Sequence, residues 1–272
     1  MKIFSLSVRV PFGSRKLIGG EFWENSIPDL SGYLSRMPRQ FSLFDCDLVY
    51  TFSRVSHSVE ADLTHIFDGT LTASDPIQSV TLVQNHDTQP GQQLEAPIDD
   101  WFNSLAYALI LLRAEGYPCV FYGHLYGISG GPKGFIPPTC GGQLGDFILA
   151  RKLYAYGEQD DYFDFRTCIG WVRRGTWDRK YGCAVVLSNA GAGWKTMYVG
   201  TEHKGEVWTD LVCPLTCLLT FISLGGIRQR LQLGRTAKEN FTATRSRSVS
   251  IPKTTQRGEI SLENRISFVE TC

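Results

Sequence analysis

The sequence lacks a net charge, because 27 Lys and Arg residues balance 27 Asp and Glu residues over 272 positions. A protein that binds nucleic acid or an anionic surface through its overall field carries an excess of basic residues. The chain also lacks an apolar run of the roughly 20 residues that a membrane span requires, since the apolar segment 217–224 is far shorter. The sequence therefore predicts no nucleic-acid partner and no membrane.

The eight cysteines include no C-x-x-C pair, and no histidine stands at zinc-ligand spacing. Cys46 and Cys119 stand inside apolar, strand-like runs, which favours buried free thiols over a disulfide bridge. The short apolar start is interrupted by Arg9 and is unlike a secretory signal. Together these features predict a reduced, cytoplasmic protein that is a monomer if it folds, with no metal ligands among its site residues.

Strand-like and helix-like segments alternate from residue 17 to about 157. The predicted strands are 17–22, 40–44, 79–83 and 117–122, and the predicted helices are 26–37, 59–67, 101–113 and 144–156. Such alternation predicts parallel βαβ units. Four units are half of a closed eight-unit barrel, which takes about 250 residues.

A different pattern follows residue 157. Short strands separated by turn residues are predicted at 168–172, 183–188, 196–199 and 206–211, and they indicate an antiparallel sheet. The segment 213–272 is rich in Ser, Thr and Arg and has little to bury, so it is predicted to be a disordered basic tail. A solvated tail is favoured over contact with RNA or anionic lipid. The predicted regions are 1–16, an atypical lead, then 17–157, 158–212 and 213–272.

Polar residues follow two of the predicted strands without an intervening turn. The strand at 79–83 leads into Asn85, His86 and Asp87, and Glu21 ends the first strand beside Trp23. Glycoside hydrolysis needs two carboxyl groups across the scissile bond, and the acid keeps its proton best near apolar walls. Glu21 suits the acid, and Trp23 offers a flat face to a sugar ring. The pattern predicts acid/base chemistry on a sugar.

Structural explanations remain open for these residues. A carboxylate at a strand end is commonly solvated rather than catalytic. Asp87 would then cap a turn, and His86 would be a satisfied structural histidine. Gln89 lies in the tight polar loop 88–92, which is predicted to form the mouth of the site. Asp45 and Asp47, after the strand at 40–44, are interpreted as structural.

Several collinear segments between 17 and 212 resemble the alpha-amylase superfamily of glycoside hydrolases, in its liquefying type and its fungal intracellular branch. The segments are GEFW at 20–23, QFSLFD at 40–45, VQNHDTQPGQ at 83–92, LAYALILLR at 105–113, GYPCVFYG at 116–123, ARKLYAYG at 150–157 and MYVG at 197–200. The resemblance implies an α/β fold consisting of the second half of a (β/α)8 TIM barrel, about strands five to eight, over 17–157. An incomplete antiparallel β-sandwich would follow over 158–212.

The resemblance also implies roles for the site residues. Glu21 would match the general acid/base on the fifth barrel strand, and Asp87 the transition-state stabiliser on the seventh, with His86 beside it. Trp23 and Gln89 are expected to bind substrate. The implied activity is endo-hydrolysis of α-1,4-glucosidic bonds in starch, glycogen or malto-oligosaccharides by a retaining mechanism.

Departures from the family pattern limit this expectation. The family's nucleophile lies in a Gly-x-Arg-x-Asp-Ala segment, and no Arg-x-Asp occurs in the 272 residues. Barrel strands one to four are absent, as are the usual ligands of the calcium expected for the family, and His124 stands where the family usually has Asp. The chain alone is therefore expected to be inactive. The alternatives are a non-catalytic glucan-binding remnant or a truncated gene product.

Overall fold

The computed structural model describes residues 2–6, 17–131, 134–190, 193–201, 203, 209–210 and 220–224. None of the helices in these ranges is long and apolar enough to cross a membrane. Cys46 and Cys119 are free thiols, as predicted, and so are Cys140, Cys168 and Cys183.

A five-stranded sheet forms the first half of the fold. Its strands, in spatial order, are β1 (Lys2–Leu6), β2 (Leu17–Glu21), β3 (Phe41–Phe44), β4 (Ser79–Leu82) and β5 (Tyr117–Cys119). β2 to β5 run parallel, and β1 pairs antiparallel with β2. The predicted α/β fold with a parallel sheet is thus confirmed. Part of the lead at 1–16 forms β1, and its other residues lie outside the described ranges.

Helices cover the connections between these strands. They are α1 (Ile27–Leu34), α2 (Cys46–Ser56), α3 (Leu71–Ser74), α4 (Asp100–Leu112), α5 (Tyr122–Tyr126) and α6 (Leu144–Tyr154). The helix predicted at 59–67 is wrong, because those residues form turns and irregular backbone. The helix of that connection is α2, which begins where the Asp45 side chain accepts a hydrogen bond from the Leu48 amide at 3.1 Å.

Helix α4 is the centre of the core. Its residues from Phe102 to Leu112 are all buried, as the apolar sequence predicts for a helix packed on more than one side. It contacts α2, α6 and β5, and also the strand Cys183–Ser188 of the second main sheet. Because α4 lies between the two main sheets, it fixes the parallel sheet relative to the antiparallel one.

A short hairpin follows α5. It consists of β6 (Ile128–Gly131) and β7 (Gly134–Ile136), which pair antiparallel. Gly127 begins the turn into the hairpin with φ +86, and a Cβ there would lie 2.8 Å from the Ile136 carbonyl oxygen. Glycine is therefore required for the hairpin to fold back onto α5.

The second main sheet is antiparallel. Its strands are β8 (Gln159–Tyr162), β9 (Cys168–Arg173), β10 (Cys183–Ser188), β11 (Thr209–Asp210) and β12 (Thr220–Leu224), in the order β11-β12-β10-β9-β8. The strand predicted at 196–199 is not formed. Within the segment 213–272, for which disorder is predicted, Thr220–Leu224 form β12, and all five of these residues pair with β10. The rest of that tail lies outside the described residues.

One buried arginine joins the two sheets. Arg113, directly after α4, donates two hydrogen bonds of 2.8 Å to the carboxylate of Asp161 on β8 and pairs with Glu115 at 3.2 Å. Its guanidinium lies over the rings of Phe67, Phe163 and Trp171. A planar guanidinium suits both contacts, because it bonds a carboxylate with two parallel N–H groups while its faces stack on rings.

Candidate functional site

A cavity of about 320 Å³ lies at the carboxyl ends of the parallel strands. The last residue of each of the four strands lines it: Glu21, Phe44, Leu82 and Cys119. The residues that follow β4 and β5 and the start of β6 complete its wall. Parallel α/β sheets bind their ligands at this edge, so the fold itself marks the cavity as the candidate site.

Glu21 brings a carboxylate to the cavity from the end of β2. The residue is half-buried, and among the described residues its carboxylate has no hydrogen bond or ion pair. The preceding Gly20 is required by packing, because a Cβ there would lie 2.3 Å from Cζ of Phe41 on the neighbouring strand. The close approach of β2 and β3 places Glu21 at the cavity with both of its oxygens available.

The loop after β4 is closed by an asparagine. Asn85 Oδ1 accepts hydrogen bonds from the amides of Asp87 at 3.0 Å and Thr88 at 2.9 Å, while Thr88 Oγ1 accepts one from the Asn85 amide at 2.9 Å. Asn85 rather than Asp87 therefore forms the turn. The Asp87 carboxylate is left to face His86, with Oδ1 3.4 Å from Nε2.

The predicted site residues take different places around the cavity. Glu21 and His86 line it, and Asp87 contacts His86 without lining it. Trp23 does not line it either, because its indole Nε1 donates to the Tyr50 hydroxyl at 2.9 Å and its ring packs into the neighbouring apolar cluster. Gln89 is half-buried in the following loop and is also absent from the lining.

Sequence reasoning missed a polar network beside the cavity. Gln84 lines the cavity and is 8% exposed, and its Oε1 lies 2.7 Å from Nε2 of His124. The other ring nitrogen of His124 lies 2.8 Å from the Tyr107 hydroxyl. Burial lowers the pKa of His124 to about 4 and raises the pKa of Tyr107 well above its usual value. The alternation of side chains along β4 and its continuation would have identified Gln84 as a cavity residue, because Gln84 and Leu82 lie on the same face.

Two tyrosines stand near the opening. Tyr122 lines the cavity, and Tyr122 and Tyr126 are both exposed, with ring centroids 4.6 Å apart. An exposed aromatic ring offers an apolar face and a polar tip. Tyr122 and Tyr126 therefore place exposed aromatic surface beside the cavity, which Trp23 does not line.

Asp45 and Asp47 lie away from the cavity. Asp45 is fully buried, and its two oxygens accept four hydrogen bonds, from the amides of Leu48, Leu71 and Thr72 and from the Thr72 hydroxyl. Its structural interpretation is confirmed. For Asp47, burial and the nearby charge of Asp45 raise the pKa to about 6.

The described residues do not fit a calcium ion. Within the ranges given above, no three His, Cys, Asp or Glu side chains come together in a group that could hold a metal. Calcium prefers six to eight oxygen ligands, and the cavity wall supplies a single carboxylate from its described residues.

The chain is similar to several bacterial enzymes. It is 39% identical over 206 residues to the alpha-amylase of Bacillus licheniformis and 42% identical over 202 residues to the cytoplasmic alpha-amylase of Escherichia coli K12. It is 41% identical over 206 residues to the alpha-amylase of Geobacillus stearothermophilus. These matches cover 75%, 72% and 75% of this chain, but 40%, 41% and 37% of the relatives. The chain thus spans about two fifths of their length.

A solved structure, named cyclomaltodextrinase, shares the fold. It superposes with a TM-score of 0.52 at 16% sequence identity, over 76% of this chain and 40% of that one. No protein-family model matches the chain.

Proposed function

Because the chain is homologous to the alpha-amylase superfamily, we propose that its cavity is a glucan site. In this proposal Glu21 is the general acid/base of an alpha-amylase active site, and the site takes α-1,4-linked glucosyl units of starch, glycogen or malto-oligosaccharides. The observation that carries the proposal is the Glu21 carboxylate, which has no partner among the described residues. Glu21 ends β2 at the edge of the sheet where all four parallel strands contribute residues to the cavity wall.

Each site residue has a distinct task in the proposed chemistry. Where a nucleophile from outside this chain takes up the glycosyl carbon, Glu21 donates a proton to the glycosidic oxygen as the bond to the leaving sugar breaks. His86 donates from the cavity wall to a sugar hydroxyl. Asp87, 3.4 Å from His86, orients the imidazole and adds negative charge where the oxocarbenium-like transition state becomes positive. Trp23 and Gln89 would act outside the cavity lining, on neighbouring sugar units.

The family resemblance extends the proposal to the architecture. In this view β2 to β5 are the fifth to eighth strands of a (β/α)8 barrel, and the antiparallel sheet is part of a C-terminal β-sandwich. The same resemblance gives the proposed domain boundaries, 17–157 and 158–212. It also gives the proposed assignment to the liquefying type and the fungal intracellular branch.

Turnover requires a second carboxylate. A retaining enzyme places its nucleophile about 5–5.5 Å from the acid, and an inverting enzyme places its base about 6.5–9.5 Å away. Among the described residues, Glu21 is the sole carboxylate in the cavity wall, and the 272 residues contain no Arg-x-Asp. We therefore expect this chain to bind glucan without hydrolysing it. The alternative function, a non-catalytic glucan-binding protein, would give the same result.

Maltohexaose binding and starch hydrolysis by the purified full chain test the proposal together. In an NMR titration we expect maltohexaose to bind saturably, with a dissociation constant of about 1 mM. We expect no release of reducing ends from soluble starch. His86→Ala should weaken binding about threefold or more, since one hydrogen bond is lost. The control is His65→Ala, because the side chain of His65 is 69% exposed and pairs with Asp68; this variant should bind as the unmodified chain does.

Each contrary result contradicts a defined part of the proposal. An absence of saturable binding would contradict the glucan site. Hydrolysis that disappears in Glu21→Gln would support the acid but contradict the lack of a nucleophile. Hydrolysis that persists in Glu21→Gln would contradict the role of Glu21. The matched control is Glu24→Gln, in the loop that follows β2.

A further inference from the structure

The polar network behind the cavity runs in one direction. The Tyr107 hydroxyl lies 2.8 Å from His124 Nδ1, and His124 Nε2 lies 2.7 Å from Gln84 Oε1. Since an amide oxygen only accepts, His124 must carry its proton on Nε2. Its Nδ1 then accepts from the Tyr107 hydroxyl.

This arrangement leaves one set of donors unused. Gln84 is 8% exposed and lines the cavity, and its amide nitrogen has no partner among the described residues. The carbonyl side of the same amide is held by His124, so the N–H groups face the cavity space. The amide nitrogen of Gln84 is not among the fully buried polar atoms that lack a partner, so it is accessible from the cavity, where a ligand hydroxyl oxygen can accept its hydrogen bonds.

We propose that His124 is a positioning residue that holds the Gln84 amide with its N–H groups directed into the cavity, where they donate to a hydroxyl oxygen of a bound glucosyl unit. This inference rests on the proposed glucan site and adds a contact to it. His124 itself does not line the cavity and acts through Gln84. Its neutral form is consistent with burial, which lowers its pKa to about 4.

The ring nitrogens of His124 give the most direct test. Long-range ¹H–¹⁵N spectra of the labelled full chain at pH 7 should show a neutral imidazole protonated at Nε2. An Nδ1-protonated ring would overturn the inference, because Gln84 would then present its oxygen, and not its N–H groups, to the cavity.

Maltohexaose titrations test the contact itself. Gln84→Met should weaken binding about three- to tenfold, the loss expected for one hydrogen bond. Gln84→Glu should weaken it similarly, because the carboxylate still accepts from His124 but has no N–H group. Unchanged affinity in both variants would overturn the inference while leaving the glucan site intact, whereas an absence of binding by the unmodified chain would overturn both.

A double variant separates positioning from general stability. His124→Phe should weaken binding as much as Gln84→Met does, and the combined variant should lose no more than either alone, because both changes remove the same contact. His124→Gln, which retains an N–H donor toward Gln84, should restore most of the affinity. Additive losses, or no recovery in His124→Gln, would contradict a role through Gln84. A cooperative thermal transition in each variant verifies folding.

Discussion

The cavity edge of the parallel sheet and the junction between the two sheets both gather charged and polar side chains. At the junction, Arg113 is bonded twice to Asp161 and stacked on three rings. At the cavity, Glu21 has no partner among the described residues, and Gln84 is held on one side only. Polar groups engaged by the protein stabilise the fold, whereas groups left open at a cavity are available to a ligand.

The same contrast holds within one sheet edge. Asp45 follows β3 and accepts four hydrogen bonds, while Glu21 ends the neighbouring β2 and accepts none from the described residues. Both are carboxylates at the ends of adjacent strands. Their surroundings, and not their position along the strand, separate the structural residue from the candidate catalytic one.

Removing the junction arginine should have the largest effect. Arg113→Met should lower the free energy of unfolding by about 3 kcal/mol, since it breaks a buried ion pair; the loss is moderated because the side chain of Asp161 is 42% exposed. Urea unfolding measures the change. The control is Arg174→Met, because Arg174 pairs with Glu158 and Asp160 nearer the surface, where pairs contribute about 1 kcal/mol or less. Equal losses would contradict the special role of the junction.

Substitutions at the two strand-end carboxylates should have unequal effects. Asp45→Asn should cost about 2–3 kcal/mol, because an amide nitrogen would face the N–H and hydroxyl donors of Thr72. Glu21→Gln, its matched counterpart, should change stability by no more than about 0.5 kcal/mol. A large loss in Glu21→Gln would indicate that Glu21 is a structural residue.

The pH dependence of stability should depend on the buried His124 and the half-buried Asp47, with opposite signs. Burial lowers the pKa of His124 to about 4 from its usual 6.5, so the unfolded state binds an extra proton between these values and acid destabilises the fold. Partial burial and the charge of Asp45 raise the pKa of Asp47 to about 6 from its usual 3.8, so here the folded state binds the extra proton and acid stabilises it. The two contributions oppose each other between pH 4 and 6.

Single variants should separate these contributions. In Asp47→Asn, the free energy of unfolding should fall more steeply than in the unmodified chain as the pH drops from 6.5 to 5. The fall is caused by His124 and is at most about 2 kcal/mol. In His124→Gln, the dependence should weaken or reverse. Chemical unfolding at several pH values measures both slopes, and identical slopes in the two variants would contradict the assignment.

Much of the local structure was predictable from the sequence. The four parallel strands and the buried helix α4 were predicted because apolar runs of the right length bury both faces or all sides. The helix predicted at 59–67 was wrong, and α2, which begins after the capping residue Asp45, was missed. Apolar spacing alone does not show which segment of a connection packs as a helix.

The sequence by itself determined that parallel strands alternate with helices, and it placed Glu21 at the end of one strand and His86 and Asp87 in the loop after another. Tertiary structure decided which polar groups are engaged. Gln84 and His124 meet across 40 positions, and Arg113 and Asp161 across 48. A hydrogen bond depends on distance and direction in space, and neither is specified by separation along the chain. The open carboxylate of Glu21 and the closed one of Asp45 therefore become distinguishable only after the chain has packed.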